Sequence, residues 1–198
     1  MSNIYPWKLT PVDHEIMPAI KNRWSSLAFS SNAIETEKVN QLLEAMRWAP
    51  SSRNEQPWRV IYATKDDLVN YEKLAACIVE GNSWAKQAPL LLLIGAKKNL
   101  NYNQQPNAHA WYDTGAAVNS LLLQATELGL MVHQMGAFDR TKAMENYHLP
   151  TDLEVIVLIA IGYSGQKETL PLNWQERQQA PRQRKTISEF ASNTEWLS

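Results

Sequence analysis

Four stretches of this sequence gather enough donors, acceptors or charges to do chemistry. The densest is Ala49-Pro50-Ser51-Ser52-Arg53-Asn54-Glu55-Gln56-Pro57-Trp58. Its two prolines fix φ and bias Ala49 and Gln56 away from the helical region, leaving a short, stiff segment of outward-bonding side chains. By itself it reads as a polar helix-to-strand connector, with Glu55 solvated. Arg23-Trp24-Ser25-Ser26 sets a guanidinium two positions before a hydroxyl, and alone reads as a capping turn. Gly129-Leu130-Met131-Val132-His133-Gln134-Met135-Gly136-Ala137-Phe138-Asp139 holds a small pair, Gly136-Ala137, at what reads as a strand-to-helix turn. Arg182-Gln183-Arg184-Lys185 reads as a solvated charge run. Other chemistries find little support. Cys77 is the only cysteine and falls on the apolar side of a helical pattern, so it reads as a buried structural thiol. The histidines at 14, 109, 133 and 148 lack metal-ligand spacing, and His133 reads as a hydrogen-bonded structural residue. The seven glycines never form Gly-x-Gly, so any bound phosphate must be held by side chains.

The elements that must position these stretches can be read from periodicity. Residues 1–10 read as an arm and Pro11 to Arg23 as a first helix. Val39, Leu42, Leu43 and Met46 recur at helical spacing in a second helix, capped by Thr36 and running to about Trp48. Trp58 to Thr64 is β-branched and aromatic, as a strand requires. A helix begins at Asp66-Asp67 and ends before Gly81, where Asn82 suits a left-handed cap. Leu90 to Gly95 reads as a buried strand, and the polar segment Lys97 to Ala108 as a lid. Asp113 to Leu128 is a long helix stopped by Gly129, and Asp139 to His148 a shorter one. Leu153 to Tyr163 is a strongly apolar strand. The tail, residues 164–198, is polar and punctuated by proline.

Taken together, these stretches resemble the FMN-dependent nitroreductase family. Ala49–Trp58 matches its Pro-Ser-Ser-x-Asn-x-Gln-Pro-Trp loop, Arg23–Phe29 its Arg-x-Ser-x-(Arg/Lys)-x-Phe motif, and Gly129–Asp139 its Gly-Leu…Gly-(Gly/Ala)-Phe-Asp segment. Gly162-Tyr163 is similar to the end of its last core strand. The resemblance implies an α+β fold, a central, mostly antiparallel sheet flanked by helices, in a homodimer that exchanges terminal segments. One domain, residues 1–198, would wrap its tail around the partner, and two FMN molecules would lie at the interface. Arg23, with Ser25 and neighbouring Trp24, would grip the phosphate and ribityl chain, a role suited to a planar fork of donors facing a dianion. Pro50, Ser51 and Ser52 of the other chain would lie along the dimethylbenzene side, with Asn54 and Gln56 fixing the loop or touching the ring. Asn82 would bond the pyrimidine. Gln134, Met135, Gly136 and Ala137 would pass close to the ring, with a backbone N–H near N5. Arg182 and Arg184 would complete the phosphate site.

Leu27 departs from the pattern, because the family carries a cation there that faces the N1–C2=O edge. Its loss implies a low flavin potential unless Arg53 or Lys86 compensates. Tyr102, His109, Trp111 and Tyr112 could line a planar substrate. The implied activity is ping-pong electron-pair transfer from NAD(P)H to a nitroaromatic, a quinone or a similar acceptor. The alternatives are a dehydrogenase or flavin-cleaving enzyme on the same fold, or an FMN-storing dimer without turnover. Composition agrees with a soluble enzyme. The chain has 198 residues, 44% of them apolar, and a net charge of −1, which gives no electrostatic footprint for nucleic acid or anionic membrane. The longest apolar run, Ala88 to Ala96, is far shorter than the roughly 20 residues of a membrane span. Without a signal-peptide pattern, the expected location is the cytoplasm, and no metal site is expected.

Overall fold

A computed structural model describes residues 8–196. At its centre is one four-stranded sheet: β1 (Trp58–Thr64), β2 (Leu90–Lys97), β3 (Met131–Met135) and β4 (Leu153–Gly162), in the order β1-β2-β4-β3 with every pair antiparallel. Helices cover both faces, so the central strands are apolar on both sides. Leu91, Leu93, Leu158 and Ala160 point into one cluster of buried side chains, and Leu90, Leu92, Ile94, Ile159 and Ile161 into the other. The fold class is α+β.

The first cluster lies beneath α3 (Leu68–Ala75) and α5 (Arg140–Tyr147), the second beneath α2 (Thr36–Arg47) and α4 (Ala110–Glu127). A bulge between Ile94 and Gly95 skips Ile156 in the pairing with β4. It keeps Val155 with Leu158 in the first cluster and Val157 with Ile159 in the second. The remaining helices are α1 (Pro18–Asn22) and, in the tail, α6 (Leu172–Gln179).

Several boundaries differ from the sequence reading. The first helix is only Pro18–Asn22, because Met17 precedes a proline and is extended (φ −51°, ψ 138°), which makes Pro18 the earliest residue the helix can include. Thr36 is the first helical residue of α2, not its cap. Glu35 takes the N-cap position and uses its carboxylate to accept from Tyr163 Oη at 2.6 Å, a bond that holds it down at about 2. α3 stops at Ala75, and a separate 3-10 segment, Glu80–Gln87, carries Asn82 and the buried Trp84. α4 begins at Ala110, a turn's length earlier than expected, and so includes Asp113 in its first turn. Gly129 ends it at φ +73°, a conformation open to glycine.

Candidate functional site

The residues singled out by the sequence fall into two hydrogen-bonded groups. The first forms around Ser26. This hydroxyl is buried, bonded to the Ala28 backbone and accepting from Gln178 Nε2 at 2.9 Å, while Gln178 Oε1 accepts from the Leu27 N–H at 2.7 Å. Ser25 is exposed, 3.4 Å from Arg23 Nη1. Trp24 and Leu27 point inward with Phe29, so Leu27 offers backbone rather than side chain at this surface. Arg182 fastens the same segment, donating to the carbonyls of Lys21 at 2.7 Å and Arg23 at 2.9 Å and to Thr10 Oγ1. Among the described residues Arg184 bonds only its neighbour's carbonyl, and it stays exposed, so Arg182 is the tail arginine brought to Arg23.

Two bonds draw the other stretches into this group. His133 Nδ1 lies 2.9 Å from Ser26 O, 107 residues away, and its ring packs on Trp84 at 4.4 Å between centroids. Burial, then the Arg177 and Arg23 charges, hold His133 down at about 4, against the pull of its bond to Ser26. The residue is therefore neutral and structural, kept so chiefly by its burial. Beyond β3, Asn82 Nδ2 donates to Ala137 O at 2.9 Å. Asn82 has φ −122° and is not a left-handed cap; its amide holds the Gly136-Ala137 turn instead. Gln134, Gly136 and Ala137 are exposed, and Met135 is buried. A Cβ at Gly136 would meet nothing within 4 Å, so the turn faces open space.

The second group is the Pro50–Gln56 loop with the start of α4. Arg53, Asn54 and Gln56 all have positive φ (52°, 55° and 48°). Pro57 keeps Gln56 out of the right-handed helical region, as expected, but the residue lands in the left-handed one rather than extended. Such positions cost roughly 1–3 kcal/mol each and persist only where neighbours fix them. The neighbours are visible. Asp113, buried, accepts from the Ser52 N–H at 3.0 Å, and Ser51 Oγ accepts from the Gln56 N–H at 3.0 Å. Glu55 is buried, not solvated: its carboxylate accepts from the Asn101 N–H at 2.7 Å, and its carbonyl from Asn101 Nδ2. The Lys97–Ala108 segment is thereby tied to the loop, with Arg53 stacked over the Tyr102 ring.

The four candidate substrate residues are not gathered at one point. Tyr102 and Tyr112 are exposed, His109 is the N-cap residue of α4, and Trp111 donates to Glu154 at 2.8 Å. Asp113, Arg177 and Gln178 went unnoticed in the sequence. Only Asp113 left a signal, as a carboxylate in the first turn of a helix otherwise rich in small and apolar residues.

The first group is a surface of donors (guanidinium, hydroxyl, amide and backbone N–H) with arginines behind it, the chemistry that a phosphate ester and the polar edge of a flat heterocycle require. Comparison with known proteins agrees. Residues 20–163 match the profile of the Nitroreductase family, and the chain belongs to that family. It superposes on a crystal structure described as an oxidoreductase containing FMN with a TM-score of 0.88 and 31% identity, covering 98% of both chains. An FMN-dependent nitroreductase of Clostridium difficile R20291 is 28% identical at a TM-score of 0.63, over 75% of this chain and 87% of that one. An FMN reductase [NAD(P)H] of Bacillus subtilis is 26% identical over 80% of this chain and 71% of its own length.

Proposed function

We propose that the protein is a homodimeric, FMN-dependent oxidoreductase. It would carry electron pairs from NADH or NADPH to a small planar acceptor, such as a nitroaromatic or a quinone, in a ping-pong cycle. The observation that carries this reading is the joining of three distant stretches into one donor surface, through His133 to Ser26 and Asn82 to Ala137. Bound there, FMN would supply the redox chemistry, taking up a hydride from the nicotinamide and passing it on.

The protein's own residues bind and orient. Arg23 and Ser25 would hold the phosphate, with Arg182 fixing the Arg23 backbone. Asn82 would keep the Gly136-Ala137 turn in place so that its backbone meets the ring. The Pro50–Gln56 loop, its shape fixed by Asp113 and Glu55, would close over the flavin of the partner chain. Cys77 has no part as a nucleophile: it is buried, and burial pushes its thiol up.

The test is an absorbance spectrum of the purified protein, repeated anaerobically after adding NADPH or NADH. Bands near ~370 and ~450 nm that bleach with nicotinamide are the expected outcome for a flavin-loaded reductase. Bands that persist with both donors would defeat the reductase reading and leave a flavin-storing protein. No bands after incubation with FMN would defeat the flavin reading itself.

A further inference from the structure

A groove of about 380 Å³ opens on the sheet face that carries α3 and α5. It lies where β1 begins, β2 ends and β4 starts, beside the turn Leu149-Pro150. Pockets that enclose small molecules run from about 300 Å³ upward, so it has room for one. Its floor is aliphatic, formed by Ile61, Leu93, Leu153 and Val155. Gly95 lines it beside the bulge, where a Cβ would stand 3.0 Å from Glu154 O and 3.2 Å from the Leu153 side chain.

The polar rim consists of Arg59, Lys97 and Asp152, two cations against one carboxylate. Neither cation belongs to any of the three ion pairs among the described residues. Each bonds neutral oxygens with part of its donor set: Arg59 Nη1 the Gln56 and Trp58 carbonyls at 3.0 and 2.7 Å, and Lys97 Nζ the Asn101 Oδ1 at 2.8 Å. A carboxylate is a stronger acceptor for either, because the bond is then charge-assisted on both sides.

We propose that this groove binds a small apolar carboxylate, its hydrocarbon body on the Ile61–Leu93 floor and its anionic head between Arg59 and Lys97. The placement gives such a ligand a route to the candidate site. Gln56 belongs to the strained loop, and Asn101 is the residue that Glu55 grips. A carboxylate that draws Arg59 and Lys97 toward itself releases one contact from each segment. Binding does not depend on the flavin reading; its effect on turnover does.

The experiment is calorimetric titration of the full-length protein as purified with octanoate, using 1-octanol as the uncharged control. Saturable binding of one octanoate per chain is expected, with 1-octanol binding much more weakly. The Arg59→Gln/Lys97→Gln double variant should weaken octanoate by about tenfold or more and leave 1-octanol unchanged. Arg59→Gln alone, at an exposed position, should show part of the loss without any risk to folding. The inference fails if octanoate does not bind, if it binds both variants as it binds the parent, or if it displaces flavin or competes with the nicotinamide. A protein that binds octanoate but takes up no flavin even after incubation with FMN would sink the proposed function and leave this site standing.

Discussion

At the residue scale, His133 reports how tightly the first group is built. Its value is held at about 4, below the ordinary 6.5 that it regains on unfolding, chiefly because burial disfavours the imidazolium. The unfolded chain therefore binds a proton between those two values that the folded chain does not. The contribution to stability is fully present above pH 6.5 and is lost as the pH falls toward 4. The slope is at most about 1.4 kcal/mol per pH unit. Urea unfolding at fixed protein concentration should show this decline between pH 6.5 and 5. His133→Gln, whose amide can still donate to Ser26 O, should flatten it; an unchanged slope would place the titration elsewhere. Asp113 offers a second check. Asp113→Ala leaves the Ser52 N–H without its acceptor, at a cost of about 1–3 kcal/mol, whereas Asp113→Asn keeps an acceptor oxygen. Thermal melts should separate the two variants, with Ala the lower.

At the element scale, α6 does more than a polar, proline-flanked tail suggests. Gln178 donates to Ser26 Oγ and accepts from the Leu27 N–H, so the helix clamps the segment that presents Arg23 and Ser25. Gln178→Ala should weaken FMN retention by about tenfold, the loss of two hydrogen bonds that position the site. Gln178→Glu, which keeps the acceptor for Leu27 but loses the donor, should fall between. Equilibrium dialysis with FMN measures both. The two variants also show where sequence reading reaches its limit. Strands β1, β2 and β4 were legible from apolar, β-branched runs, and α2 and α4 from their helical stripes. The three stretches proposed to form the site were legible only through their resemblance to the family's motifs; by residue type alone they read as a connector, a capping turn and a strand-to-helix turn. The Ser26–Gln178 pairing was not, because a glutamine 152 positions away leaves no periodic trace. Glu55 was misread for a related reason: a charged residue in a polar loop looks solvated until the backbone that covers it, here that of Asn101, is known. The first helix was overextended because a proline at position 18 can open a helix as well as interrupt one.

At the scale of the whole molecule, the proposed flavin site draws on two separate groups of residues. Asp113 and Asn101 anchor the Pro50–Gln56 loop on one side, while Ser26, His133 and Gln178 organise the Arg23 surface on the other. Meanwhile the arm and tail leave large apolar side chains in solvent: Leu9, Met17, Leu172, Phe190 and Trp196 are 86%, 60%, 77%, 65% and 96% exposed. Exposed apolar groups in both terminal segments are a surface that a partner could cover. In the proposed dimer the partner's loop would complete the surface and the partner's body would cover the termini. Cofactor retention and association are then linked: whatever binds only the assembled pair stabilises the pair. Dilution of the FMN-loaded protein should release flavin along with dissociation, and added FMN should shift the monomer–dimer midpoint to lower protein concentration. Phe190→Ser with Trp196→Ser should raise that midpoint with little effect on the thermal stability of the isolated chain, because both side chains are mostly exposed in it. Sedimentation velocity across a dilution series, recorded at both protein and flavin wavelengths, tests the linkage. Flavin that stays on the sedimenting monomer would show that one chain holds it unaided, and the loop's role across the interface would fall with that result.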